Sequence, residues 1–187
     1  MDDSGDRMHR YVALLRGLNV GGHRVKMDHL RSLFQEMGHA DVATFIASGN
    51  VIFSTSSDDV AAHEASIEAQ LQEALGYEVA TFVRTPEELQ DVGAFEWVGQ
   101  GSEDSVYVTF TKEPVGAEVR HVLTGLESET DRFEFRGREM YWLIRGKLSE
   151  SPLFGGAVTK AMKGVPNTAR NMTSLRKLLA KHGPDTE

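Results

Sequence analysis

The stretch "RGLNVGGHRVKM", residues 16–27, combines three glycines, one asparagine and three Lys or Arg side chains. It follows an apolar run, "YVALL", and precedes the first stretch with helical spacing. A loop that leaves a strand and enters a helix presents unpaired N–H groups beside a positive helix end, a geometry that binds phosphate or carboxylate. Gly21 and Gly22 let backbone approach a ligand, Arg16, Arg24 and Lys26 add formal charge, and Asn19 adds an amide. An arginine can hold an oxyanion through two parallel N–H donors. The chemistry expected here is anion binding. The plainer alternative is a glycine-rich turn with surface cations.

Known phosphate and catalytic patterns do not fit. Gly17 to Gly22 has the spacing of a P-loop, but His23-Arg24 stands where Lys and a magnesium-holding hydroxyl belong. His63-Glu64 begins like a zinc protease motif, and Ile67 occupies the place of its second histidine. Seven histidines are scattered without metal spacing and there is no cysteine, so no metal or other cofactor is implied. Ser174 and Lys177 form S-x-x-K inside a helical pattern without the accompanying motifs of an acyl-enzyme.

The elements that must position the loop follow from periodicity. "YVALLR" reads as a buried strand, and Met27, Leu30, Phe34 and Met37 as a helix stopped by Gly38. "VATFIASGNVIFST" gives two strands pivoting on Ser48-Gly49-Asn50. Ser56 with Asp59 is expected to cap a helix carrying Val60, Ile67, Leu71 and Leu75, and "EVATFVR" is a fourth strand. The order β-α-β-β-α-β is the split βαβ unit, the ferredoxin-like plait. Thr85-Pro86-Glu87-Glu88 opens a short helix with a capping box, and "GQGSEDS" reads as a linker.

The same order returns in "SVYVTFT", a helix over Val119, Val122, Leu123 and Leu126, a hairpin in "DRFEFRGREMYWLIR", a short helix near "AVTKAMKG" and an extended "VPNTARN". A final helix carries Met172, Leu175, Leu178 and Leu179. The expected fold is α+β: two ferredoxin-like halves in tandem with a C-terminal helix. The expected division is a leader at 1–8, a first plait at 9–85, a short helix and linker at 86–104, and a second plait with its helix at 105–187. The rival is one larger α+β domain around a single sheet.

Composition bounds the function classes. A chain of 187 residues suits one ordinary domain or two small ones. No apolar run approaches the length of a membrane helix, so no membrane partner is expected. The polar start "MDDSGDRMHR" is neither a secretory nor a transit signal, and the lack of cysteine fits a reducing cytoplasm. The net charge of -8 is uneven: residues 1–131 hold 9 basic and 23 acidic side chains, and residues 132–182 hold 11 and 3. A basic last third on an acidic body suggests one face suited to anions, although solvated helix surfaces give the same count.

The blocks "VALLRGLNVGGHRVKM", "FIASGNVIF", "FVRTPEEL", "GKLSES" and "TARNMTSLRKL" resemble, in that order, the marks of the bacterial domain-of-unknown-function family 1697. That resemblance implies two plait-like α+β halves and assigns no activity. Ala47 stands where the family usually has Gln, and Gly155-Gly156 loosens an otherwise helical region. The matching blocks add Ser48, Asn50, Arg170 and Asn171 to the candidate ligand-binding residues. Asn50 also suits a hairpin turn and Asn171 a helix N-cap.

Three functional readings follow. The first is a binding module for a phosphorylated small molecule or nucleotide. The second is single-stranded nucleic-acid binding, which needs exposed rings on the sheets; Tyr107, Tyr141 and Trp142 are the candidates. The third is an enzyme stabilising an oxyanion, for which no base or nucleophile stands out.

Overall fold

A computed structural model describes residues 7–46 and 49–184. Ser48, and the expected leader apart from residues 7 and 8, lie outside those residues. The chain divides into two units. One takes the described parts of Met1–Leu89 and His182–Glu187, and the other takes Gln90–Lys181.

The first unit runs β1 (His9–Arg16), α1 (Met27–Glu36), β2 (Ala40–Phe45), β3 (Asn50–Thr55), α2 (Val60–Leu75) and β4 (Ala80–Arg84). Its sheet has the order β2-β3-β1-β4, all neighbours antiparallel. That is the plait order, not a single sheet continuing through the chain. Alternation along β1 sends Tyr11, Ala13 and Leu15 to one core with Val51, Phe53 and Val83. Leu30 and Phe34 of α1, with Ile67 and Leu71 of α2, fill that core at the helical spacing read from the sequence. Each such side chain contributes roughly 1.5–3 kcal/mol by leaving water.

The cap of α2 differs from expectation. Asp59, not Ser56, is the N-cap, and its Oδ1 accepts from the Ala62 amide at 2.9 Å. Asp accepts as well as Ser at this position and stands directly before the first helical residue, so the helix starts there. Gly76, at φ 81°, ends it. Two carboxylates of α2 also finish the edge of the sheet. Glu64 Oε1 accepts from the Val83 amide at 2.8 Å and Glu68 Oε1 from the Thr81 amide at 2.9 Å. These β4 donors would otherwise offer an edge for another strand to pair with.

The α3 helix (Pro86–Gly93) opens with the predicted capping box. The Glu88 amide donates to Thr85 Oγ1 at 3.1 Å, and Glu88 Oε2 accepts from the Thr85 amide at 2.8 Å. The second unit then repeats the plait: β5 (Ser105–Thr111), α4 (Ala117–Thr124), β6 (Asp131–Arg136), β7 (Glu139–Ile144), α5 (Ala157–Ala161) and β8 (Asn167–Asn171). Its sheet order is β6-β7-β5-β8, and α6 (Met172–His182) follows. Leu123, Phe133, Met140 and Met162 centre its core, with Trp142 packed against them. Gly137, at φ 54°, turns the β6–β7 hairpin where expected. The polar stretch 99–105 is held rather than loose: Asp104 accepts from the Gly101 amide at 2.8 Å and from Arg145 at 2.5 Å. Those two donors hold its carboxyl below the usual carboxylate range, the Gly101 amide most of all.

One carboxylate organises the far end of this second sheet. Asp131 is fully buried at the start of β6. It accepts from Trp142 Nε1 at 2.8 Å, Ser151 Oγ at 2.6 Å and Thr130 Oγ1 at 2.7 Å. It thereby ties β6 to β7 and to the 3-10 turn at Leu148–Glu150.

Candidate functional site

β1 ends at Arg16 while still paired to β4, with Arg16 opposite Ala80. The chain then folds over the sheet end. Gly21 and Gly22 both have positive φ, 61° and 87°, and the His23 amide donates to Val20 O at 3.1 Å, which closes a tight turn in a left-handed backbone that glycine adopts without strain. Asn19 Oδ1 accepts from the Val25 amide at 2.9 Å and draws the two arms of the loop together. Tyr77, just past the end of α2, donates its hydroxyl to Leu18 O at 2.7 Å. Burial pushes that phenol up from its ordinary value. The His23 ring lies on the Tyr77 ring, with centroids 3.9 Å apart and planes 20° apart.

The fold of the loop brings His23, Arg24, Lys26 and His29 to one open recess of about 430 Å3, floored by Val25, Ala74, Leu75 and Tyr77. Lys26 is the N-cap of α1, in extended backbone, and makes no capping hydrogen bond. A lysine at that position is unfavourable twice over: it supplies no acceptor for the first amides, and it puts a cation at the positive helix end. Asp28, in the first turn, is engaged by Arg31 instead. Among the described residues, Arg24 and Lys26 have no ion-pair partner. The end of α2 also borders the recess through Ala74 and Leu75. Helix C-termini carry negative partial charge, so the positive character of the recess comes from the side-chain cations and not from the end of α2.

The other candidates are placed differently. Arg16 is exposed at the strand end and does not line the recess. The turn between β2 and β3 lies at the same end of the sheet, because the Leu15 amide donates to Gly49 O at 2.8 Å. Asn50 is buried and spends its amide on that turn, donating to Phe45 O at 3.1 Å. Arg170 and Asn171 belong to β8 of the second unit. Arg170 donates to Thr168 Oγ1 at 2.8 Å and to Ala169 O, and burial lowers its guanidinium to about 10. Asn171 Oδ1 accepts from the Thr173 amide at 2.8 Å, the N-cap role for α6. Three residues that line the recess, His23, His29 and Tyr77, were not among the candidates read from the sequence. The first two stood among scattered histidines, and Tyr77 reaches the loop across 59 residues.

Gly49 shows how tightly the neighbouring turn is built. It sits at φ 74°, and a Cβ there would lie 3.1 Å from Leu15 Cβ and 3.4 Å from Leu15 O. Gly49→Ala is therefore expected to destabilise the first unit by about 1–3 kcal/mol, through left-handed strain and crowding together. Urea unfolding followed by far-UV circular dichroism checks it; an unchanged midpoint would show that the turn relaxes freely.

Rings on the second sheet are engaged with the protein itself. Tyr107 faces Trp142 across the β5–β7 pair, and Trp142 stacks on Phe133 at 5.8 Å. Tyr141 is buried against Phe95 at 3.9 Å, and burial raises its hydroxyl to about 12. No pair of exposed rings of the kind that stacks on bases stands among these three. Among the described residues no group of three or more potential metal ligands converges, and no helix is long and apolar enough to cross a membrane.

Two plaits in tandem, each with its sheet in the same strand order, define a duplicated ferredoxin-like α+β protein. The chain belongs to the DUF1697 family of proteins of unknown function, whose sequence model matches residues 8–141. It is similar in structure to the conserved bacterial protein SP0830 from Streptococcus pneumoniae. The TM-score is 0.66 with 20% identity, over 92% of this chain and 97% of that one, a likeness of fold. An unknown protein from Galdieria sulphuraria aligns over 88% of this chain and 99% of its own, at 13% identity and a TM-score of 0.27. No curated protein matches the chain in sequence.

Proposed function

We propose that this protein is a binding module for a phosphorylated small molecule or nucleotide, held by the loop between β1 and α1. The observation that carries this reading is Lys26 at the uncapped start of α1, beside Arg24 in one recess. Local rules broken without structural compensation are characteristic of functional positions. A serine or aspartate at the N-cap would stabilise the helix; a lysine there serves something outside it. The recess offers donors and positive charge, which suits an oxyanion. The second reading, single-stranded nucleic acid, draws no support from the engaged rings of the second unit.

Amide NMR with pyrophosphate as probe tests the proposal. Shifts confined to residues 22–29 and saturating with concentration are expected. Arg24→Ala should weaken binding about tenfold by removing one charge-assisted contact. Shifts that are absent, or that follow ionic strength alone, would leave the loop as a structural turn.

A further inference from the structure

We infer that the ligand carries an aromatic ring next to its phosphate, and that the exposed face of His23 receives this ring; the inference rests on the anion-binding reading of the same recess. His23 is exposed, and one face of its imidazole is already laid on Tyr77 at 3.9 Å. Tyr77 is fixed from beneath by its hydroxyl bond to Leu18 O. The result is a two-ring platform whose geometry is set before a ligand arrives, with its outer face open. The stack steadies the loop, and it leaves the outer face of the imidazole free to receive a second ring. Arg24 and Lys26 line the same recess as His23 and Tyr77, so platform and cations border one space.

Size points the same way. The recess of about 430 Å3 lies within the range of small-molecule sites, roughly 300–1,000 Å3. A bare phosphate would leave most of it to water, at about 30 Å3 per molecule. Val25, Ala74 and Leu75 give the recess an apolar side that a ring can cover and a second phosphate cannot use. A base or other flat heterocycle on His23, with its phosphate at Arg24 and Lys26, satisfies all three kinds of surface.

The test compares AMP with ribose 5-phosphate by calorimetric titration of the full chain at fixed pH and salt. They share a sugar and a phosphate and differ by the ring. AMP is expected to bind about tenfold more tightly, the scale of one base on one aromatic platform. In His23→Ala that advantage should vanish, so that AMP and ribose 5-phosphate bind alike. His23 is exposed, so the substitution leaves the core intact. Equal affinities in the wild type, or an AMP advantage that survives in His23→Ala, would overturn the inference and leave the anion site standing. Failure of both probes to bind would overturn the anion reading beneath it.

Discussion

Lys26→Asp is expected to raise the stability of the first unit and, at once, to weaken anion binding severely. Aspartate is a strong N-cap, and its side chain would accept from the first amides of α1, which no side chain caps in the wild type. It also reverses the charge at a positive helix end. Together these changes are worth about 1–2 kcal/mol, at about 4–8 °C in melting temperature for each kcal/mol in a unit of this size. The same reversal replaces an attractive charge in the recess by a repulsive one, for a loss of about a hundredfold in phosphate affinity. Lys26→Ser separates the two effects, since it supplies the cap without the negative charge. It should gain most of the stability and lose only about tenfold in affinity. A Lys26→Asp variant that melts higher and binds pyrophosphate as before would remove Lys26 from the site.

Asp131→Ala is expected to have the largest effect on stability, about 3–5 kcal/mol. The carboxylate is fully buried and takes hydrogen bonds from Trp142, Ser151 and Thr130. Alanine would leave the buried Ser151 hydroxyl and the half-buried Trp142 N–H without that acceptor, a far worse outcome than losing the bonds in water. Asp131→Asn keeps an acceptor of the same shape and should lose much less. Both tryptophans, Trp97 and Trp142, fall in the second unit, so their fluorescence in urea reports on that unit alone. If Asp131→Ala shifts that transition no more than Asp131→Asn, the carboxylate network contributes little.

Much of the fold was legible because each plait is written in local chemistry. Gly38, Gly76 and Gly137 stop or turn the chain where left-handed backbone is needed. Thr85 and Glu88 spell out their capping box. The Ser56 expectation erred because two good acceptors stand close together, and the one adjacent to the apolar run took the cap.

The site was legible only in part. The glycines and cations of residues 16–27 mark a loop, but its shape depends on Tyr77, which spacing cannot bring near. Arg16 opens the stretch but closes β1, still paired to β4 opposite Ala80, and it does not line the recess. Asn19 and Asn50 are polar residues whose amides hold turns, a role that looks identical to ligand binding in a sequence.

The most direct measurement is the melting temperature in pyrophosphate against sodium chloride of equal ionic strength. A ligand that binds only the folded state must raise it. A rise of several degrees that saturates with pyrophosphate is expected in the wild type, and it should disappear in the Arg24→Ala, Lys26→Ala double variant. Identical melting in the two salts, or a rise that persists in the double variant, would contradict anion binding at the recess.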